Sequence, residues 1–309
     1  MDDLLTEAKN MMEAIELKRE LIQLTKRGQF NIRKWNYNCL ELREITGANN
    51  DIQLNTDHRN KILGIWWNPE QDTINYKFTP SRRQNRITKR IILSQIAQLY
   101  DPLGLLGPVI IKAKLLMQQL WMEKLDWDES VPQALHTSCI EIQTSLPLLQ
   151  GFIVNRRITV NNQEQLQMHG FCDASEKAYG ACLYMRTKTI QGDVSVQLIC
   201  AKSRVAPLKK ISLPKLELCA AMLLTNLYIT TIEALKLKVG EVYLWSDSTI
   251  VLSWVNSEPF ELKTFVANRV SAIQSKANRE YWKHVRTQDN PADIISRGLL
   301  PAELVKNKL

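Results

Sequence analysis

The second half of the chain, residues 161–309, predicts an α/β fold in which helices flank a mixed β-sheet. Three observations support this prediction. Residues 165–173 roughly alternate polar and apolar side chains, as a half-buried strand does, and two apolar runs follow at hairpin-like separations. Residues 216–235 are apolar on nearly every side, which is typical of a buried helix. Residues 242–245 are apolar on both faces, as expected for a central strand covered by helices.

The first strand ends in a carboxylate, Asp173, before a turn-like Ala-Ser-Glu segment. The apolar runs at 179–184 and 194–201 predict an antiparallel meander with it. For an isolated acid at this position, a turn residue that binds its own backbone is the favoured interpretation. A metal-binding carboxylate is the alternative.

The buried helix carries Glu217 one turn after its start, where Ser212 can cap the helix and Pro214 lies in the first turn. A carboxylate flanked by leucines is costly to desolvate unless a cation or strong donors compensate it. The alternative is an outward-facing Glu217 beside Lys215, or one favoured by the helix dipole. This residue alone supports both interpretations about equally.

Asp247 stands at the carboxyl end of the central strand, where a helix begins. Ligands collect at that edge of open α/β sheets. An ordinary N-cap, Ser246 or Asp247, for a helix over 249–255 explains the same pattern without any function.

Asp293 lies in the first turn of the last predicted helix, after Asn290 as a cap and Pro291 at the first helical position. That pattern is also an ordinary helix start. Asp289 is a competing candidate. We prefer Asp293 because a side chain inside the first turn is held rigidly and can point back over the sheet.

The four acids are more informative together than singly. They occur in the order strand, helix, strand, helix, which describes a two-metal nuclease site. Hard oxygen ligands favour Mg²⁺, with Mn²⁺ as an alternative. The predicted catalytic and metal-binding residues are therefore Asp173, Glu217, Asp247 and Asp293.

The segment from Met168 to Arg297 resembles the ribonuclease H domain of retroelement reverse transcriptases. Three stretches are similar to the polyprotein of BEL/Pao long-terminal-repeat retrotransposons: AKSRVAPL at 201–208, ISLPKLEL at 211–218 and DNPADIISRG at 289–298. The resemblance implies a ribonuclease H whose metal ligands are the four acids. One departure is Arg286, where we expect proline before the final helix, and it concerns the loop rather than the acids.

This resemblance implies hydrolysis of the RNA strand of an RNA–DNA hybrid. Asp173 would bridge both metal ions, Glu217 and Asp247 would bind the ion near the leaving group, and Asp293 would bind the ion that positions water. The predicted phosphate contacts beside the site are Lys202, Arg204, Lys209 and Lys210.

Two further residues have more than one interpretation. His284 could help to release product, although a structural histidine at a strand end is the more common role. Trp254 is either a core residue or a sugar-stacking surface residue.

Residues 1–80 are predicted to be the C-terminal remnant of a reverse transcriptase palm. Asp2 and Asp3 resemble the end of its paired-aspartate motif and are vestigial polymerase residues, although acids near a terminus usually form a solvated helix start. A helix over 4–26 and a strand over 30–35 follow, and 61–69 resembles the primer-gripping hairpin. We expect no primer extension, because a third metal-binding aspartate and the fingers region would lie upstream.

Residues 81–160 are predicted to form a helical, thumb-like segment. A first helix ends near Tyr100, others cover 108–123 and 132–149, and 151–165 is a polar tether. Five cations without an intervening acid, in a chain of net charge +8, favour contact with a phosphate backbone over a solvated face. These cations are Arg82, Arg83, Arg86, Lys89 and Arg90.

Composition bounds the remaining possibilities. A chain of 309 residues with 45% hydrophobic content can bury two cores, so we expect two units divided near residue 160. Six cysteines without close pairs and four histidines without ligand spacing disfavour a disulfide framework or a zinc site. No apolar run appears long enough for a membrane helix, and the N-terminus is acidic rather than signal-like. We therefore expect a soluble intracellular, cytoplasmic protein, with a virus-like particle or the nucleus as alternatives.

Other functional classes fit less well. An aspartic peptidase needs Asp-Ser/Thr-Gly, and the sequence from Asp247 to Thr249 lacks the glycine. An integrase would bring a histidine-cysteine zinc module. A non-catalytic nucleic-acid-binding remnant or a domesticated protein is the alternative, although it would be expected to have lost an acid.

Overall fold

The structure, a computed structural model, describes residues 4–8, 10–32, 35–39, 41–42, 60–62, 65–78, 86–159 and 163–307. The chain forms two compact units. The smaller consists of Met1–Tyr76 with Ile153–Arg157, and the larger of Lys77–Phe152 with Ile158–Leu309. The division therefore follows residue 76 instead of lying near residue 160, because the helices between residues 89 and 151 belong to the larger unit.

The first element of the smaller unit is a long helix, α1 (Met11–Arg27). It begins later than the expected residue 4, because the side chain of Asn10 accepts a hydrogen bond from the Glu13 backbone N–H at 2.9 Å and caps the helix. Gly28 caps the C-terminal end of the helix. The described residues of the range 30–35 do not form the expected strand.

Four short strands form an antiparallel sheet in the smaller unit, in the order β1 (Asn60–Ile62), β2 (Ile65–Asn68), β3 (Thr73–Asn75) and β4 (Ile153–Asn155). Strands β2 and β3 confirm the expected strand, Asn-Pro turn and strand. Strand β4 comes from the segment expected to be a polar tether. There Arg156 Nε lies 2.5 Å from Asp72 Oδ1. The two residues are far apart in the chain, so the sequence around either one does not predict this ion pair.

Three helices begin the larger unit: α2 (Lys89–Ala97), α3 (Gly107–Met122) and α4 (Gln133–Ser145), followed by a 3₁₀ helix at Leu146–Gly151. They confirm the three predicted helices. Between α2 and α3, the carboxylate of Asp101 accepts hydrogen bonds from the backbone N–H groups of Leu105 and Leu106, at 2.9 and 2.7 Å. This turn explains why the helical path breaks there.

The larger unit is built on a five-stranded sheet of β5 (Gln163–Ala174), β6 (Ala178–Thr189), β7 (Val194–Val205), β8 (Glu241–Ser246) and β9 (Trp282–His284). The strand order is β7-β6-β5-β8-β9. Strands β5 to β7 form the predicted antiparallel meander, and β8 and β9 add parallel to β5. The mixed sheet confirms the predicted fold class.

The helices of this sheet are α5 (Leu213–Leu235), α6 (Thr249–Asn256), α7 (Thr264–Gln274), α8 (Asp293–Arg297) and α9 (Pro301–Lys306). By length and composition α5 could cross a membrane, so the expectation that no apolar run reaches that length was wrong. However, α5 packs on β5 and β6, and its Leu216, Leu218 and Leu224 are buried in the main core. Its apolar character is that of a core helix.

The segment that leads into α3, and α3 itself, pack against the outer edge of β7. The Ala201 backbone N–H donates to the Leu103 carbonyl at 2.8 Å, and the side-chain amide of Gln118 donates to the Ala206 carbonyl at 2.8 Å. Gly104 has a φ of +74°, and a Cβ at this position would lie 1.8 Å from the Ala201 carbonyl oxygen. The contact therefore requires glycine.

Candidate active site

Asp173 and Asp247 lie side by side at the carboxyl ends of β5 and β8. These parallel strands are in register, and Cys172 pairs with Ser246 directly before the two acids. Adjacent strands are about 4.8 Å apart, so the two carboxylates start from neighbouring backbone positions. Ser248 caps α6 by accepting a hydrogen bond from the Val251 N–H at 3.3 Å. The cap is therefore not Asp247, whose side chain remains available to the site.

Asp173 is buried, with 6% of its surface exposed. Burial, together with the negative charges of Asp247 and Asp293, raises the pKa of its carboxyl group to about 6. The Ser296 hydroxyl opposes this change by donating a short hydrogen bond to Asp173 Oδ2. Asp173 is therefore the most desolvated carboxylate of the site.

Glu217 points toward the same place from α5. Burial raises its pKa, a hydrogen bond with Ser248 lowers it, and the charge of Asp247 raises it. Lys215, the alternative neighbour, instead places its ammonium 5.3 Å from the Phe265 ring centroid. The Glu217 side chain therefore faces inward, toward Ser248 and Asp247, and not outward beside Lys215.

Asn290 connects the last loop to both strands. Its buried amide donates to the Cys172 carbonyl at 3.0 Å and lies 3.5 Å from Asp247 Oδ1. Its side-chain oxygen accepts from the Ala292 N–H at 3.1 Å, while helix α8 begins only at Asp293. The sequence suggested a helix cap for Asn290, and its position between the strand ends was not predicted.

Asp293 is held by Arg297, whose Nε lies 2.6 Å from Asp293 Oδ1. The hydrogen bond with Asp293 and the charge of Asp293, with smaller contributions from Asp173 and Asp247, raise the pKa of Arg297. The competing candidate, Asp289, forms a surface ion pair with Arg286 at 2.7 Å. Arg286, which stands where we expected proline, is therefore paired with Asp289 within the loop.

Carboxylate oxygens are the ligands that hard cations prefer, and a cation would also relieve the repulsion between these negative charges. Asp247 raises the pKa of both Asp173 and Glu217, which is the effect of acids that share a site without enough positive charge. Within the described ranges, no three His, Cys, Asp or Glu side chains form a ready-made metal cage. Ser296 contacts one carboxylate oxygen of Asp173, and Arg297 contacts one carboxylate oxygen of Asp293.

The raised pKa of Asp173 predicts a pH-dependent effect in metal-free buffer. The folded protein binds the proton more tightly than the unfolded chain, so the stability contribution of Asp173 falls as pH rises from about 4 to about 6. We expect Asp173→Asn to raise the free energy of unfolding by about 2–3 kcal/mol near pH 8 and to change it little near pH 4. Urea denaturation with EDTA at both pH values measures this. An equal gain at both pH values would contradict the proposed cause.

The predicted phosphate-binding residues fall into three groups. Lys202, Arg204, Lys209 and Lys210 are exposed on β7 and the loop after it. Arg86 and Arg90 are exposed and bind Ser130 and Asp128, at 2.8 Å in each case. Arg82 and Arg83, like Asp2 and Asp3, lie outside the described residues.

Lys89 does not fit the prediction. It is buried, its ammonium donates to the Leu125 carbonyl at 2.8 Å, and it lies 4.2 Å from the Trp121 ring centroid. A lysine held by a carbonyl and an aromatic ring in the interior is a structural residue. The run of basic residues gave no sign that the helix turns this one inward.

The two remaining candidates have ordinary positions. His284 ends β9, exposed and paired in register with Ser246. Trp254 is half-buried against the main core.

A family model described as the Pao retrotransposon-like RNaseH-like domain matches residues 88–248. This range includes Asp173, Glu217 and Asp247 and ends before Asp293. No curated protein matches the chain.

Several solved structures are similar to the chain. The N-terminal RNase H domain of a Mycobacterium tuberculosis protein is 12% identical, with 43% of this chain and 94% of that chain covered and a TM-score of 0.29. A foamy viral protease–reverse transcriptase in complex with double-stranded DNA is 12% identical, with 75% and 38% covered and a TM-score of 0.44. LC11-RNase H1, an enzyme isolated from compost and solved with an RNA/DNA hybrid, is 14% identical, with 45% and 99% covered and a TM-score of 0.29.

Proposed function

Because the chain belongs to the family of Pao retrotransposon-like RNaseH-like domains, whose model matches more than half of its residues, we propose that it cleaves the RNA strand of RNA–DNA hybrids. Its RNase H-like fold is a mixed sheet flanked by helices. The observation that carries the proposal is the meeting of Asp173, Glu217 and Asp247 at the carboxyl ends of the central strands, with Asp293 beside them.

The four acids would hold two Mg²⁺ ions, with Mn²⁺ as an alternative. When bound, such ions supply a nucleophilic water at neutral pH and neutralise charge on the leaving oxygen. Asn290 orients Asp247 through its amide, and Ser296 holds Asp173. Arg297 balances the charge of Asp293 in the metal-free protein.

The exposed cations on β7 and the following loop would contact the phosphates of the substrate. Lys202 and Arg204 are near the carboxyl end of β7, which is the same end of the sheet as Asp173. Arg86 and Arg90 would extend this contact along the helical segment. We also propose that residues 1–80 are a palm remnant and that residues 81–160 are a thumb-like segment. The proposed location of the protein is intracellular.

One observation favours a second function, non-catalytic binding of nucleic acid. Asp293 and Asp173 already have protein partners in Arg297 and Ser296. If these contacts persist when nucleic acid binds, the chain would retain its basic surface without hydrolysis. A domesticated retroelement protein could have this activity.

A hybrid-cleavage assay on the purified full chain tests the proposal. End-labelled RNA annealed to DNA is incubated with Mg²⁺, with Mn²⁺ or with EDTA, and the fragments are separated by size. We expect cleavage with either metal ion and none with EDTA, because the acids alone cannot activate water.

Single-stranded RNA and double-stranded DNA of the same sequence are the controls. Equal cleavage of all three substrates would contradict a hybrid nuclease. Binding of the hybrid without cleavage in either metal ion would support the second function instead.

A further inference from the structure

Three cations from two separate elements meet at the outer edge of β7. Lys202 and Arg204 come from β7 itself, and Lys114 comes from α3. The sequence pointed to the first two, but Lys114 lies 88 positions before Lys202 in the chain. We call these three residues the β7-edge cluster.

Lys114 is positioned by a contact with the backbone of β7. Its Nζ donates to the Ser203 carbonyl oxygen at 3.2 Å, between the two cationic residues of the strand. Burial lowers the pKa of Lys114, and the positive charges of Lys202 and Arg204 lower it as well. The three charges are therefore close enough to repel one another.

Within the described part of the chain, none of the three cluster members forms an ion pair. Asp101 is the acid that favours the charged form of Lys114. Asp101 supplies one negative charge against three positive ones, and its carboxylate oxygens also accept hydrogen bonds from the Leu105 and Leu106 backbone N–H groups. An anion from outside the protein would relieve the repulsion.

The sheet register relates the cluster to the acids. Asp173 pairs with Gly180, and Gly180 pairs with Ser203, so the three residues form one row on one face of β5, β6 and β7. Lys202 and Arg204 flank Ser203 and project from the other face of β7. Two strand spacings place the backbones of Asp173 and Ser203 about 10 Å apart. This distance is of the order of a few nucleotides, since the charges of one strand are about 3.4 Å apart along the duplex axis.

We propose that the β7-edge cluster binds the phosphodiester backbone of a nucleic acid, a few nucleotides from the bond that meets the carboxylates. The inference rests on the proposed function and adds to it the role of Lys114. Helix α3 thereby contributes directly to the substrate surface of the nuclease sheet.

Salt-dependent binding tests this inference. Affinity of the full chain for a fluorescent RNA–DNA hybrid is measured in EDTA by anisotropy across a salt titration. We expect Lys202→Gln and Lys114→Gln each to weaken binding about 3- to 10-fold near 0.1 M salt, and to reduce the slope of log affinity against log salt by about 0.9.

Lys238→Gln is the matched control. Lys238 is an exposed lysine between α5 and β8, at the opposite end of the sheet from Asp247. Its loss should leave the slope unchanged. Lys114→Gln also removes the bond to Ser203, so Lys114→Arg, which keeps the charge, should retain the slope. Lys202→Gln removes no side-chain hydrogen bond to any residue that the structure describes, so it tests the charge of this residue alone.

The outcomes separate the two proposals. If the wild-type chain cleaves the hybrid and the variants have the same salt slope as wild type, the β7-edge cluster does not bind phosphate. The proposed function would then still stand. A wild-type chain that binds no hybrid overturns both. A reduced slope for Lys202→Gln and Lys114→Gln, with Lys238→Gln unchanged, supports the cluster even if cleavage fails.

Discussion

Replacing Asp247 with asparagine is expected to abolish hybrid cleavage, by roughly 10²- to 10³-fold or more, while hybrid affinity stays nearly unchanged. The amide keeps the shape of the side chain and its contact with Asn290, but it removes the charge that would hold a metal ion. Cleavage rate and anisotropy, measured in the same Mg²⁺ buffer, check the two parts of this expectation.

The same variant has a second readout that does not depend on activity. Asp247 raises the pKa of Asp173 and of Glu217. In Asp247→Asn both carboxyl groups should therefore titrate at lower pH, which NMR can follow in the metal-free protein.

Asp289→Asn is the matched control for this experiment. Asp289 is an acid four residues from Asp293, but it pairs with Arg286 in the surface loop. Its removal should leave cleavage intact. Full cleavage by Asp247→Asn, or loss of cleavage in Asp289→Asn, would contradict the assignment of the site.

Replacing Gly104 with alanine is expected to destabilise the larger unit by about 3 kcal/mol or more. The left-handed conformation at φ +74° disfavours alanine, and the added Cβ would lie 1.8 Å from the Ala201 carbonyl oxygen. The backbone bond from Ala201 to Leu103 must then break or shift. Urea unfolding measures the loss, and hydrogen exchange at the Ala201 amide reports its location.

Gly192 provides the control, because it also has a positive φ, +95°, but a Cβ there would meet no atom within 4 Å. Gly192→Ala should cost about 1 kcal/mol, the conformational part alone. Equal losses in the two variants would show that the contact between Gly104 and β7 contributes nothing to stability.

Much of the sheet could be predicted because its signals are local. The alternation before Asp173, the apolar helix that carries Glu217 and the strand before Asp247 depend on period and burial, which a single sequence displays. The structure brings these elements together as expected. The prediction for Asp293 relied on the first turn of a short helix, and its pairing with Arg297 over four residues was not considered.

The unpredicted features are long-range contacts. Strand β4 pairs with a strand almost 80 residues earlier, and Lys89 is buried under Trp121. Neither contact leaves a trace in the neighbouring sequence. The same holds for Lys114 and Ser203, which are joined only after α3 has packed on β7.

The cover of β7 by the segment from Leu103 to Gln118 also bears on solubility. An uncovered strand of twelve residues would present unpaired N–H and C=O groups, and such edges recruit strands from other molecules. Its exposed Val194 and Val196 would add an apolar surface to that template. A fragment starting at residue 161 would also expose the part of this edge at 201–206, which the contacts from Leu103, Lys114 and Gln118 cover in the full chain, and we expect it to self-associate more than the full chain.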